Sequence, residues 1–217
     1  MWAEGRKFAY AIGDMGRYNS NLPEWSIDVS HAALLVHDMQ NYFLNAFEYD
    51  NEPLNVLRSN CLTLVELARS ADVPVFYTAQ PGDMTNAQRG LLSSFWGYGM
   101  GARPEHRDIW RPIAPQRKFE VVEKWRYSAF FRNNFAHRLE YIRARQLIII
   151  GVYGHVGILG TAMDSYSRDY ETFVVSDAIA DFSREEHVRT LVQIGSTCAA
   201  VCETDVVAGA FRGALGS

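Results

Sequence analysis

An apolar run that ends in a glycine-rich turn constrains this chain more than any other feature. Gln146 is followed by Leu-Ile-Ile-Ile and then by glycines at positions 151, 154 and 157. A short run of this kind predicts a fully buried strand. In an open α/β sheet, such a strand ends in a turn that presents functional groups at the carboxyl edge of the sheet. We therefore expect a functional turn at Gly157.

Strand-like and helix-like segments alternate along the chain. Short apolar runs predict strands at 32–38, 73–79, 119–125, 147–153, 172–176 and 199–202. Apolar spacing and start signals predict helices from Pro53 to Ala68, at about 133–143, 157–168 and 183–196, and beyond Asp205. Ser183-x-x-Glu186 is a capping-box pattern. Alternation of this kind requires a parallel sheet covered on both faces.

The predicted fold class is α/β, as one three-layer α/β/α, Rossmann-like domain with a parallel sheet of about six strands. The domain spans residues 31–217, and residues 1–30 form an N-terminal arm whose segment 22–25 packs onto the body. The region 80–115 is long and rich in Gly, Pro and Arg, which favours a binding loop with short helical turns.

Composition excludes several classes of partner. The net charge is −4 and the basic residues form no run, so we expect no nucleic acid. No apolar run reaches the ~18 residues of a membrane span, and the N-terminus lacks a signal-peptide core. Cys61, Cys198 and Cys202 form no paired framework, which favours a reducing compartment. We expect a cytoplasmic protein with a small-molecule substrate.

Polar residues follow two other strand-like runs. Asp38 and Gln40 follow the first predicted strand, and Lys124 lies at the end of the third. A carboxylate at a buried strand end is unfavourable unless it is paired or protonated. Asp38 alone could be a structural residue and Lys124 alone a solvated charge, but together they form a candidate site with coupled protonation. With glycine at 157 and no thiol, the pattern favours acid–base chemistry without a covalent intermediate.

Other interpretations of these residues are weaker. The three glycines suggest a dinucleotide-binding turn, but their spacing is GxxGxxG and they do not lie in the first strand–helix unit. A tight turn with close helix–strand packing explains them without a ligand. His37 and His155 could bind a metal with Asp38, but their spacing is not diagnostic, so no metal is predicted.

The long loop and its surroundings supply candidate pocket residues. Arg89 is either a surface charge or a bidentate clamp for a carboxylate. Trp96 and Tyr127, with Phe95, Phe130 and Phe131, are aromatic enough to wall an apolar pocket, although core packing would explain each of them.

Several long motifs resemble the isochorismatase family. They are Leu34-Leu-Val-His-Asp38-Met-Gln40-x-Tyr-Phe43, Tyr77-Thr-Ala-Gln80-Pro, Lys124-Trp-Arg-Tyr-Ser-Ala-Phe130, Gly151-Val-Tyr-x-His-Val-Gly157 and Ala178-Ile-Ala-Asp181-Phe-Ser183. The resemblance covers about residues 21–205. It implies a Rossmann-like sheet, usually in a dimer, and no cofactor. Amidase members of the family carry a nucleophilic cysteine where this chain has Gly157, and the isochorismate-type branch does not.

Within that branch, the segment Gln80–Gly97 and the Phe130-Phe131 pair resemble the phenazine-pathway members. The implied reaction is hydrolysis of the enolpyruvyl ether of 2-amino-2-deoxyisochorismate, an isochorismate-type dicarboxylate, without a covalent intermediate. The alternatives are an isochorismatase of catechol siderophore synthesis, an amidase-like hydrolase and a non-catalytic interaction module. The sequence leaves open whether the ring carries an amine or a hydroxyl.

The resemblance also implies roles for individual residues. Asp38 would protonate the vinyl carbon, Lys124 would hydrogen-bond Asp38, and Gly157 would leave room for the enolpyruvyl group. Because the charge of Lys124 lowers the pKa of Asp38, a dry pocket must counteract it. The substrate-binding residues would be Gln80 for a carboxylate or the water, Arg89 for a carboxylate, Tyr153 for the enolpyruvyl carboxylate, and Phe43, Trp96 and Tyr127 for the apolar wall.

Two positions depart from the family pattern. Gly154 stands where relatives commonly have alanine, and Tyr98 where proline is usual in Trp-Gly-Pro-Gly. We expect the first to loosen the active-site turn and the second to alter the binding loop.

Overall fold

The fold is a three-layer α/β/α sandwich around six parallel strands. The computed structural model describes residues 7–15 and 21–216. The strands are β1 (Ala32–His37), β2 (Val75–Ala79), β3 (Val121–Glu123), β4 (Gln146–Val152), β5 (Glu171–Ala180) and β6 (Ala200–Cys202). Their order in the sheet is β3-β2-β1-β4-β5-β6, and every pairing is parallel. The predicted fold class is confirmed.

Helices cover both faces of the sheet. They are α1 (Asn41–Leu44), α2 (Leu54–Ser70), α3 (Asn86–Arg89), α4 (Leu92–Trp96), α5 (Pro104–Arg107), α6 (Phe135–Tyr141), α7 (Leu159–Tyr166), α8 (Arg184–Thr197) and α9 (Thr204–Leu215). Three of them, α3 to α5, are the short turns predicted for the long loop. Among the described residues, no helix has both the length and the apolar character needed to cross a membrane.

The central strands are buried on both faces because their side chains alternate between two cores. Leu34 and Val36 belong to the core that contains α2 and α9. Leu35 and Ile149 belong to the opposite core, which contains α6, α7 and α8. Each such side chain stabilises the fold by about 1.5–3 kcal/mol when it is fully buried. Uninterrupted apolar runs therefore occupy the middle of the sheet, where helices cover them on both sides.

The fifth strand runs four residues beyond its predicted end at Ser176 and continues to Ala180. Its pairing with β4 shifts register after Ile149, so that Gly151 pairs with Ile179. The polar residues that interrupt the apolar run are hydrogen-bonded elsewhere: Ser176 donates to the carbonyl of Cys202, and Asp177 accepts from Thr204. Polar residues that find partners in a neighbouring element do not end a strand. The third strand is shorter than predicted, covering three residues.

The described part of the N-terminal arm packs onto the domain. Ile12 and Met15 are buried, and Trp25 makes an edge-to-face contact with Phe173 at a centroid distance of 6.3 Å. Leu22, which we expected to pack with Trp25, is 76% exposed. The predicted arm also includes residues 1–6 and 16–20, which lie outside the described residues. The boundary between residues 30 and 31 remains a prediction.

A buried histidine links this arm to the sheet. The Tyr10 hydroxyl donates to Nδ1 of His187 at 3.0 Å, and Nε2 of His187 donates to the carbonyl of Ser176 at 2.9 Å. The backbone N–H of Asp181 in turn donates to the Tyr10 oxygen at 2.8 Å. Burial lowers the pKa of His187 to about 4. A neutral imidazole fits this network, because one ring nitrogen must accept a hydrogen bond while the other donates.

This network predicts a pH dependence of stability. Histidine in the unfolded chain titrates near 6.5 and His187 in the folded protein at about 4, so the unfolded chain binds more protons between these values. The stabilisation from neutral His187 is therefore present above pH 6.5 and is lost as the pH falls toward 4. We expect His187→Gln to reduce the slope of unfolding free energy against pH by up to about 1.4 kcal/mol per pH unit. Urea denaturation across this range measures the slope, and an unchanged slope would contradict the assignment.

Candidate active site

The candidate site lies between β1 and β4, where the order in which the strands are added to the sheet reverses direction. β1 and β4 are neighbours, and the chain proceeds outward from them on opposite sides, which opens a crevice at their carboxyl ends. Asp38 directly follows β1, and Tyr153 directly follows β4. Gln80 follows β2, and Lys124 follows β3. Four parallel strands thus deliver four polar residues to one edge of the sheet.

All nine catalytic and substrate-binding residues predicted from the sequence line one cavity at this edge. They are Asp38, Phe43, Gln80, Arg89, Trp96, Lys124, Tyr127, Tyr153 and Gly157. The other lining residues, which were not predicted from the sequence, are Tyr42, Leu92, Gly99, Met100 and Val156. The structure brings the predicted residues together, and their individual roles remain predictions.

Asp38 is the centre of the polar network. The Lys124 ammonium donates to Oδ2 of Asp38 at 2.7 Å, and the Thr78 hydroxyl donates to Oδ1 at 2.5 Å. The backbone N–H of Asp38 donates to Thr78 Oγ1 at 2.9 Å, and the residue has a positive φ of 50°. Asp38 and Lys124 are 5% and 2% exposed. Thr78 was not predicted from the sequence, although a polar residue inside the apolar run of β2 was a usable signal.

The pKa of Asp38 is the balance of opposing effects. Burial raises the pKa of the carboxyl, but the charge of Lys124 and the hydrogen bonds from Lys124 and Thr78 lower it below its ordinary value. Burial alone therefore does not outweigh the effects of Lys124 and Thr78 at this carboxyl. Because the pKa of Asp38 is lowered, a proton must reach this carboxyl before it can act as an acid.

Arg89 brings a second positive charge to the cavity. The guanidinium is buried and donates to three neutral oxygens: Gly97 O at 2.9 Å, Gln80 Oε1 at 3.4 Å and Trp96 O at 3.4 Å. Burial lowers its pKa. Two of the three bonds are long, so the planar fork is available for a carboxylate. A Cβ on Gly99, whose φ is +80°, would lie 2.7 Å from Cζ of Arg89, so glycine is required there.

The side chain of Gln40 positions Gln80 through hydrogen bonds to its backbone. The Oε1 atom of Gln40 accepts from the backbone N–H of Gln80 at 2.8 Å, and its Nε2 donates to the Gln80 carbonyl at 3.0 Å. Nε2 also donates to the carbonyl of Arg107 at 2.7 Å. The buried amide therefore fixes the backbone of Gln80 against the α5 region. Gln40 belongs to a family motif, but the sequence alone indicated no role for it.

Of the aromatic side chains predicted for the wall, Phe43, Trp96 and Tyr127 line the cavity. The other candidates, Phe95, Phe130 and Phe131, do not line it. Phe182 contacts Tyr153 at a centroid distance of 4.7 Å and Trp96 at 5.9 Å, so it supports both rings from behind. The Trp96 indole donates to the Tyr127 hydroxyl at 2.9 Å. The hydroxyl of Tyr153 donates to the carbonyl of Phe43 at 2.6 Å. In this arrangement the Tyr153 proton is used within the protein, and the role of Tyr153 in binding the enolpyruvyl carboxylate remains a prediction.

The space beside Gly157 is occupied by His37. A Cβ on Gly157 would lie 2.3 Å from Cε1 of His37. The predicted room for an enolpyruvyl group on this side of Gly157 is therefore filled by an imidazole. Nδ1 of His37 donates to the Val152 carbonyl at 2.8 Å, and Nε2 accepts from Thr161 Oγ1 at 3.1 Å. Burial lowers the pKa of His37 to about 4, so the ring is neutral at neutral pH.

Gly154 lies against the carboxylate of Asp181. A Cβ there would lie 2.6 Å from Oδ2 of Asp181. That oxygen accepts the backbone N–H of His155 at 2.7 Å, and Oδ1 pairs with Nδ1 of His155 at 2.6 Å. The pairing with Asp181 raises the pKa of His155, although burial opposes it. Glycine at 154 therefore allows the Asp181 carboxylate to approach the turn closely, and the expected loosening remains a prediction. Tyr98 is 86% exposed and does not line the cavity.

None of the three cysteines lines the cavity. Cys61, Cys198 and Cys202 are free thiols, and burial raises the pKa of each. A buried thiol with a raised pKa is a poor nucleophile.

The family profile of the isochorismatase domain matches residues 32–206. The chain belongs to the isochorismatase family. Its members include hydrolases, and the site contains an acid, two cations and an apolar wall.

Similar proteins agree with this assignment. The chain is 44% identical over 198 residues to the phenazine biosynthesis protein PhzD of Pseudomonas fluorescens, covering 91% of this chain and 95% of that protein. It is 36% identical over 197 residues to enterobactin synthase component B of Escherichia coli K12, covering 91% of this chain and 69% of that protein. A cysteine hydrolase from Pseudomonas syringae pv. phaseolicola shares the fold, with a TM-score of 0.79, 22% identity and coverage of 88% and 97%.

The buried ion pair between Lys124 and Asp38 predicts how single and double substitutions change the free energy of unfolding. Lys124→Met leaves the Asp38 carboxyl buried without its cation, so we expect the free energy of unfolding at neutral pH to fall by about 3–5 kcal/mol. Asp38→Asn combined with Lys124→Met removes both charges, and most of this loss should be recovered. Urea denaturation of the two variants and the wild type measures the difference. Equal stability of Lys124→Met and wild type would show that the pair does not form.

Proposed function

We propose that this protein hydrolyses the enolpyruvyl ether of 2-amino-2-deoxyisochorismate to trans-2,3-dihydro-3-hydroxyanthranilate and pyruvate, in a phenazine-type pathway. The observation that carries this proposal is the Lys124–Asp38 pair, joined at 2.7 Å inside an aromatic cavity that has no nucleophilic thiol. Cleavage of a vinyl ether needs a proton donor and water, and it needs no nucleophile from the enzyme. The similarity to a phenazine biosynthesis protein over 91% of the chain supports this substrate.

The charges of the cavity match a dicarboxylate. Arg89 and Lys124 are two cations against the single carboxylate of Asp38 among the lining residues. Arg89 has a planar fork bonded only to neutral oxygens, so it is the residue that clamps a ring carboxylate. The backbone of the turn at Gly157 is the remaining polar surface for the enolpyruvyl carboxylate. Trp96 and Tyr127 then cover the ring.

The proton for the first step comes from Lys124. Binding of the substrate expels water, and a dry cavity disfavours an ion pair relative to a neutral acid and amine. The nearby substrate carboxylates also disfavour the anionic form of Asp38. Both effects favour transfer of a proton from Nζ of Lys124 to Oδ2 of Asp38 along their 2.7 Å hydrogen bond. Asp38 then protonates the terminal vinyl carbon.

Protonation of the carbon produces an oxocarbenium ion. The Asp38 carboxylate that remains stabilises this cation electrostatically. Water adds to the cationic carbon, and its surplus proton returns to the neutral Lys124 amine. The hemiketal hydroxyl proton passes to the ring oxygen as the carbon–oxygen bond breaks. The products are pyruvate and the ring alcohol, and both protein groups regain their starting protonation.

This mechanism predicts that Asp38→Asn lowers kcat by about 10²–10⁴-fold and leaves KM nearly unchanged, because the amide fills the same space but cannot transfer the proton. The measurement is a coupled assay of pyruvate release. Asp72→Asn is the matched control: Asp72 also has a positive φ, of 55°, but it is exposed and does not line the cavity. Turnover of Asp38→Asn at the wild-type rate would remove Asp38 from the mechanism.

In the same assay, Arg89→Met should change KM more than kcat. Loss of a charge-assisted clamp of about 1.5–3 kcal/mol should raise KM by roughly 10- to 100-fold. Arg89→Lys keeps the charge without the fork and should lie between methionine and wild type. An unchanged KM in the methionine variant would exclude the clamp.

Isochorismate is the alternative substrate, with 2,3-dihydro-2,3-dihydroxybenzoate and pyruvate as products for catechol siderophore synthesis. The relative that is an enterobactin synthase component favours it, although the identity is lower, 36% against 44%. Both substrates share the enolpyruvyl group, so the first experiment is pyruvate release from each, side by side. We expect the higher kcat/KM for the amino compound. A preference for isochorismate would support the alternative, and no pyruvate from either would overturn both.

We also propose a homodimer that works in the cytoplasm. The family resemblance implies the dimer, and three large apolar side chains, Leu91, Phe95 and Tyr98, are 71–86% exposed within one short segment. Free thiols at all three cysteines fit a reducing compartment. Light scattering tests the dimer: a solution mass near the 24.6 kDa of one chain would exclude it. Cell fractionation tests the location.

A further inference from the structure

We propose that His37 and Gly157 form an interlocked pair that fixes the reaction class of this site. The imidazole of His37 fills the space in which a side chain at position 157 would begin, and it holds the loops that carry the catalytic residues. His37 is thus a positioning residue, and Gly157 is the partner that makes room for it. The catalytic part of this inference rests on the proposed function, whereas the steric part does not.

The steric argument follows from three distances. A Cβ at position 157 would lie 2.3 Å from Cε1, 3.1 Å from Nε2 and 3.2 Å from Nδ1 of His37. Non-bonded carbon atoms do not approach one another to 2.3 Å, so either the His37 ring or the turn at Gly157 would have to move. His37 is fully buried and its two nitrogens are bonded to Val152 and Thr161. Any movement of the ring would therefore break a buried hydrogen bond.

The hydrogen bonds of His37 connect the parts of the site. His37 directly precedes Asp38, and its Nδ1 lies 3.8 Å from Oδ2 of that residue. Through the Val152 carbonyl it contacts the end of β4, next to Tyr153. Through Thr161 it reaches the loop after Lys124, because Thr161 Oγ1 also accepts the backbone N–H of Ala129 at 3.0 Å. A displaced imidazole would disturb the ends of β1 and β4 and the loop that follows β3.

The pair has a consequence for chemistry. A nucleophilic side chain at position 157 requires removal of the imidazole, and removal of the imidazole loosens Asp38. The same chain cannot hold both this acid arrangement and a thiol at 157. Water must therefore add to the substrate directly. Burial of a neutral imidazole, with its pKa lowered to about 4, is consistent with a ring that holds the site together and carries no charge at neutral pH.

A double-mutant cycle on thermal stability tests the steric part without any substrate. We expect Gly157→Ala to lower Tm by roughly 5 °C or more in the wild-type background, as for an overpacked core. In the His37→Ala background the same substitution should lower Tm by much less, because the space is then vacant. Gly209→Ala is the control: Gly209 is exposed in α9, and a Cβ there would have no neighbouring atom within 4 Å, so Tm should not fall.

The cycle has a clear contrary result. An equal loss of Tm from Gly157→Ala in both backgrounds would overturn the interlock. If Gly157→Ala alone does not fold, His37→Ala is compared with His37→Ala/Gly157→Ala. Similar Tm values for these two support the interlock, and a further large loss in the double variant overturns it.

A kinetic comparison tests the positioning role. His37→Ala should lower kcat for pyruvate release by at least about tenfold with a smaller change in KM, since misplacement of catalytic groups mainly affects the reaction step. His37→Asn should recover part of this loss, because its amide N–H can donate to the Val152 carbonyl. Wild-type kcat in His37→Ala would overturn the role. If the wild-type protein itself releases no pyruvate, the proposed function fails, and the stability cycle still decides the interlock.

Discussion

The buried ion pair between Lys124 and Asp38 is the constraint on which the rest of the site depends. The two residues follow strands that are not adjacent, β3 and β1, and the intervening β2 contributes Thr78 to the same carboxylate. Two charges taken out of water are strongly unfavourable unless their geometry is good and their other hydrogen bonds are satisfied. The ends of β1, β2 and β3 must therefore be positioned so that these side chains reach hydrogen-bond distance of one another. The parallel sheet fixes the strand ends in this arrangement.

Three glycines around this pair serve one physical purpose, which is to admit a polar side chain close to the backbone. Gly99 accommodates the guanidinium of Arg89, Gly157 the imidazole of His37, and Gly154 the carboxylate of Asp181. In each case a Cβ would lie less than 3 Å from the polar group. The close approach of these groups accounts for the glycines of the turn after β4 without a bound phosphate. The glycines let charged and hydrogen-bonding groups pack tightly at the carboxyl edge of the sheet.

The fold was largely predictable because its strongest signals are local. The apolar runs of β1 and β4 are buried on both faces, so their composition alone indicates the centre of a parallel sheet. The end of β5 was not predictable in this way. Ser176 and Asp177 interrupt the apolar pattern, and their hydrogen bonds to Cys202 and Thr204 form only after β6 and α9 have packed beside them.

By itself, the sequence indicated that Asp38 and Lys124 meet at one edge of the sheet, because both lie at the ends of predicted parallel strands, and the family resemblance supplied the other site residues. The tertiary structure alone decided what each residue contacts. The Tyr153 hydroxyl donates to the Phe43 carbonyl, and the Thr78 hydroxyl donates to Asp38. His37 fills the space beside Gly157. Such contacts are set by strand register and by distances of a few ångströms between residues far apart in the chain. The direction in which a pKa shifts depends on these contacts.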